Sequence, residues 1–152
     1  MPYYKDFQLR TDTASIAVFD DDVIAHRIED YSDWWTTPGA QLEEINAGTM
    51  VLVSLGADGF YKVHVQVDGP LDEPALRARI LSRSGEVRIA PGEALPGEEI
   101  MPEGGLLLDR EPGVYEVAMR RVGDMAVAVS VTPVEGEAVN SFGKPLDIDS
   151  TG

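Results

Sequence analysis

The chain has 152 residues, 43% of them hydrophobic, with 12 Lys and Arg against 27 Asp and Glu, a formal net charge of −15 and no cysteine. That length suits one domain with a real apolar core. It excludes a disulfide framework, thiolate chemistry and a long apolar span, and it disfavours nucleic-acid and anionic-membrane partners, whose phosphates an acidic surface repels.

In chain order, Ala14–Phe19 is a short apolar strand stopped by Asp20-Asp21-Asp22. A weak helix is expected over Val23–Glu29, where Asp21 or Asp22 serves as its cap. A second helix is expected over Gly39–Ala47, entered from Thr37-Pro38, ended by Gly48, with Leu42 and Ile45 facing inward. Thr49–Leu55 is apolar on both faces, as a doubly covered strand requires. The Gly56-Ala57-Asp58-Gly59 turn then leads to a strand whose Tyr61, Val63, Val65 and Val67 alternate with polar residues, which reads as a hairpin. Leu76–Arg83 and Glu86–Ala90 read as another hairpin around Ser84-Gly85, with a short helix as the rival for the first segment. Pro91–Gly105 is loop, and Leu106–Leu108 a short strand. Pro112-Gly113 then launches Tyr115–Arg120, which turns at Gly123-Asp124 and returns as Met125–Val131. The stretch 134–152 is sparse in apolar residues and is expected as an extended or partly disordered tail behind a single domain over 1–133.

Many short strands with Gly and Pro turns and no βαβ rhythm predict a mainly β fold. We expect an antiparallel β-sandwich or barrel-like sheet of about seven to nine strands, with one or two helices in the N-terminal third.

The chemistry-bearing residues form no obvious catalytic set. His26 and His64 share no metal-ligand spacing, and no Gly-x-Ser-x-Gly elbow is present. Catalytic residues and a cofactor are therefore not expected. The triplet Asp20, Asp21 and Asp22 offers hard oxygen ligands, a weak candidate for Ca²⁺ or Mg²⁺. Trp34 and Trp35, the only two tryptophans, stand together in an acidic setting with Asp30 and Asp33. They form a candidate aromatic anchor with a charged rim. Against the overall charge, Arg77, Arg79 and Arg83 share one face if their segment is a strand, and Arg88 lies on the expected partner strand.

Charge is uneven, with 3 basic against 10 acidic residues in the first 50. The function expected is a small acidic cytoplasmic binding module acting through protein contacts, such as an inhibitor or immunity-type protein for a basic partner like a nuclease. The alternatives are an assembly protein forming homo-oligomers, or a small ligand- or cation-binding domain.

Overall fold

A computed structural model describes residues 3–24, 36–69, 71–92 and 105–149. Within them, ten strands and one helix follow the order β1 (Tyr3–Thr11), β2 (Ser15–Phe19), α1 (Pro38–Asn46), β3 (Met50–Ser54), β4 (Gly59–Val67), β5 (Leu76–Ser82), β6 (Glu86–Pro91), β7 (Leu106–Asp109), β8 (Gly113–Gly123), β9 (Ala126–Val134) and β10 (Leu146–Asp147). They build two five-stranded sheets, ordered β1-β4-β9-β8-β5 and β10-β3-β2-β6-β7. Among the described residues the chain is thus β-rich with a single short helix, as its composition and turn spacing led us to expect.

The period-two pattern does what it promised. Tyr61, Val63, Val65 and Val67 are buried on β4, Tyr115, Val117 and Met119 on β8, and Val127, Val129 and Val131 on β9. These meet Ile16, Val18, Val51, Val53, Val87, Ile89 and Leu108 of the second sheet, forming the main core between the sheets. The opposite face of the second sheet is apolar too. Ala17, Phe19, Met50, Leu52 and Ala90 pack with Ile45 of α1, so β2 and β3 are covered on both sides. Pro38 occupies the first helical turn, where its missing N–H costs nothing, and Gly48 ends the helix at φ +75.

Pairing differs from expectation in two ways. First, the sheets are mixed: β4–β9 and β10–β3 run parallel, so the sandwich is not purely antiparallel. Second, two of the three expected hairpins are corners. β3 pairs with β2 while β4 pairs with β1 and β9 in the other sheet. Likewise β5 pairs with β8, whereas β6 pairs with β2 and β7. Only β8–β9 is a true hairpin, with a register shift between Arg121 and Gly123. A tight turn reverses the chain equally well within a sheet or across a sandwich, so the turn residues do not separate the two. Leu76–Ser82 is strand, as expected over its helical rival, with Ala78 and Ile80 buried.

The segment after β9 does not trail away through residue 149. Leu146 and Asp147 form β10 against β3, and Ile148 is buried. Asn140 closes the free edge of β5: its Oδ1 accepts from Arg79 N at 2.9 Å, while Nδ2 donates to the carbonyls of Arg79 and Ile45 at 2.9 and 2.7 Å. Asn46 does the same for Phe142, accepting from its N–H at 2.8 Å and donating to its carbonyl at 3.0 Å. Two asparagines thus supply the backbone partners that a further strand would have supplied.

Both crossings that return to the first sheet use one device. In Gly59-Phe60-Tyr61-Lys62-Val63 and Gly113-Val114-Tyr115-Glu116-Val117 the tyrosine hydroxyl donates to a carbonyl four residues back, Tyr61 to Ala57 at 2.6 Å and Tyr115 to Glu111. A buried ring with its hydroxyl tied to the preceding turn fixes the angle at which the strand starts. Each tyrosine also faces an Arg–Asp pair, Arg121–Asp149 for Tyr61 and Arg110–Asp68 for Tyr115. Tyr61→Phe and Tyr115→Phe should each cost about 1 kcal/mol in urea denaturation. A loss indistinguishable from zero in both would remove the hydroxyls from this role.

Candidate functional site

Asp20 lies directly after β2 and is 1% exposed. Its carboxylate accepts from the Ser82 hydroxyl, the Arg83 and Ser84 amides and the Asp22 amide, each at 2.8 Å, and from the Ser84 hydroxyl at 2.9 Å. Burial pushes its carboxyl up, but these donors outweigh that and hold it below its ordinary value. Asp21 turns instead to Arg88 at 2.9 Å, and Asp22 to Arg83 at 3.6 Å. The triplet, a weak candidate for a cation site, therefore fans out in three directions. One carboxylate staples the β5–β6 corner and the other two form exposed ion pairs. Among the described residues no group of three or more His, Cys, Asp or Glu side chains is arranged to hold a metal ion.

The arginine row is also redistributed. Arg77 and Arg79 do share the outer face of β5, but Arg83 falls in the corner and Arg88 belongs to the other sheet. Arg79 donates to the Glu135 carbonyl at 3.0 Å. The expected single basic patch is broken because β5 and β6 part company. Trp34, Trp35, Asp30, Asp33 and His26 lie outside the described residues, as does most of the weak helix expected over Val23–Glu29.

Two surfaces emerge that the sequence did not single out. One is the outer face of the first sheet, where β9 contributes only Ala126, Ala128, Ser130 and Thr132. Longer side chains stand beside this low strip and enclose a groove of about 480 Å³ lined by Tyr4, His64, Gln66, Leu71, Arg120 and Val122 among others. His64 is half-exposed and paired with Asp6 at 3.0 Å. This face carries Arg10, Lys62, Arg77, Arg79 and Arg120, five of the 12 Lys and Arg in the chain.

The other is one end of the sandwich, gathered around Arg121. Its guanidinium donates to the Leu55 carbonyl at 2.5 Å, the Asp124 carbonyl at 2.9 Å and both Asp149 oxygens at 2.9 and 3.0 Å. The Arg121 hydrogen bonds hold the Asp149 carboxyl below its usual range. Asp12, Asp58, Asp124, Asp147 and Asp149 are all exposed on these converging turns. Between them stand two apolar side chains, Phe60 at 58% and Met125 at 39% exposure, with Arg10 stacked 5.9 Å over the Phe60 ring. An apolar centre with a polar rim is the general anatomy of a protein-contact patch. The signal was legible only as scattered turn aspartates.

The family described as "Family of unknown function (DUF6386)" matches residues 3–148. The chain belongs to DUF6386. No curated protein matches this DUF6386 member. Two solved structures share its fold. "Crocagin biosynthetic gene J" is 14% identical with a TM-score of 0.57, covering 89% of this chain and 99% of that one. ComJ from Bacillus subtilis, an inhibitor of the DNA-degrading activity of NucA, is 13% identical with a TM-score of 0.58, covering 88% of this chain and 99% of its own. At such identities the likeness concerns the fold.

Proposed function

We propose that this DUF6386 member is a protein-binding inhibitor whose acidic surface docks on a basic partner, a nuclease being the class best supported. The observation that carries the reading is a fold shared over almost the full length of ComJ, a nuclease inhibitor, by a chain of net charge −15. A nuclease must hold polyanionic DNA, so its binding surface is basic, and an acidic inhibitor of matching shape competes for it. In this reading the end bearing Asp58 and Asp124 supplies the charge, with Phe60 and Met125 as apolar anchors. Trp34 and Trp35, rimmed by Asp30 and Asp33, are proposed as a second aromatic anchor for the same partner.

The test is a DNA-degradation assay of NucA, and of any nuclease encoded beside this chain's gene, with the protein added at low and at high salt. Stoichiometric loss of cleavage is expected at low salt, weakening at high salt. The Asp58→Lys/Asp124→Lys double variant should associate about tenfold more slowly with the nuclease, and Trp34→Ala/Trp35→Ala should dissociate faster. Undiminished cleavage by every nuclease tested, with no complex on gel filtration at low salt, would overturn the reading.

A further inference from the structure

Most of the described arginines find partners. Arg83, Arg88, Arg110 and Arg121 each pair with a carboxylate, and Arg10 lies 3.5 Å from Asp12. Arg77 also forms no ion pair among the described residues but is exposed; Arg120 is different. It stands half-buried on the outer face of β8, its Nε is buried, and that atom has no hydrogen-bond partner among the described residues. No ion pair to it is formed by any described carboxylate, in a chain with 27 acidic residues. A partly desolvated guanidinium without a counter-charge is costly, and its planar fork of donors matches a carboxylate.

Its surroundings are built to receive one. Arg120 and Val122 form one wall of the 480 Å³ groove, Tyr4, Asp6, His64 and Gln66 form the other, and Leu71 closes the end by packing on Ala118 and Ala128. His64 is already engaged by Asp6, which leaves Arg120 as the cation without a partner in the groove. Tyr4 at 70% and Val122 at 44% exposure offer apolar contact on either side of it. The volume falls in the range of ordinary ligand pockets.

We infer that this groove binds a carboxylate presented by an extended peptide segment of a partner protein, with Arg120 holding the carboxylate and Tyr4 and Val122 gripping the side chains two residues to either side of it. The site is separate from the acidic end and independent of the nuclease reading, because it seeks the opposite charge. An extended segment fits because its alternate side chains repeat at the spacing of same-face residues on a strand, roughly 7 Å.

The experiment is an amide NMR titration of the full chain with N-acetyl-Leu-Ala-Glu-Ala-Leu-amide, the same peptide with Gln for Glu, and sodium acetate. The Glu peptide is expected to give saturable shifts at residues 64, 66, 120, 122 and 128. Binding should weaken roughly tenfold for the Gln peptide on the unaltered protein, and by a similar factor for the Glu peptide on Arg120→Gln. Equal affinities for the Glu and Gln peptides would overturn the proposal without relying on any variant. So would an unchanged titration in Arg120→Gln, or acetate saturating the same residues as tightly as the peptide.

Discussion

Asp20→Ala is expected to lose about 3–5 kcal/mol of stability, with the midpoint of thermal unfolding falling by about 10 °C. The variant would strip the acceptor from two backbone amides and two hydroxyls at the β5–β6 corner and from the Asp22 amide, and most of these donors are sheltered from water. Asp20→Asn keeps one oxygen but turns an amide group toward the same donors, so about 2 kcal/mol is expected. The acid limb carries a second signature. Because its donors hold the folded carboxyl below the unfolded value of about 3.9, Asp20 stabilises the fold fully above that value. The contribution is then lost as pH falls through the folded value. Urea denaturation across pH 2 to 6 should therefore show a shallower acid decline in Asp20→Asn than in the parent. A loss below about 1 kcal/mol at neutral pH would show that the corner does not depend on this carboxylate.

The role of Asp20 also shows what sequence patterning conveys and where it stops. An Asp triplet after a strand reads as a helix cap or a solvated turn before it reads as a cation ligand. Asp20 differs from Asp21 and Asp22 only because the Ser82–Ser84 corner folds over it, 62 to 64 residues later. That contact exists because β5 and β6 belong to different sheets. The alternation of Val63, Val65 and Val67, or of Val127, Val129 and Val131, was enough to place strands and their buried faces. It says nothing of whether consecutive strands lie side by side or face to face, since both bury the same residues.

The same ambiguity scattered the arginines. Arg77 and Arg79 kept their common face, and Arg88 left it once β6 joined β2 and β7. Two strands escaped notice for opposite reasons. β1 is an edge strand in which Phe7 and Leu9 are the inward apolar residues of an otherwise charged and polar run. β10 is two residues long and takes its place from the backbone of β3. One signal was there to be used: the pentapeptide Gly-x-Tyr-x-Val occurs at both 59–63 and 113–117, and both copies start a strand that enters the first sheet from the second. Arg120, by contrast, is one of a pair of adjacent arginines. Strand alternation puts the two on opposite faces, but only the fold shows that Arg121 meets Leu55, Asp124 and Asp149 while its neighbour faces the open groove.

Gly48→Ala is expected to cost about 3–5 kcal/mol, whereas Gly39→Ala in the same helical region should be neutral or stabilise by up to about 1 kcal/mol. Gly48 ends α1 at φ +75, where a side chain adds strain of about 1–2 kcal/mol. The larger part is steric. A Cβ there would stand 1.9 Å from the Ala138 carbonyl oxygen and 2.6 Å from its carbon, so backbone must move. That backbone leads into the Asn140 clamp on the edge of β5, and the Gly48 carbonyl itself accepts from the Leu81 amide at 2.8 Å. The substitution thus levers the 135–142 segment off both the helix end and the sheet edge. At Gly39 nothing lies within 4 Å of the added carbon, and the gain in helix propensity stands alone. The pair therefore separates a general Gly-to-Ala effect from a specific collision, with urea midpoints as the measure. If both variants matched the parent, the chain after β9 would not be seated against α1, and the asparagine clamps would hold nothing in place.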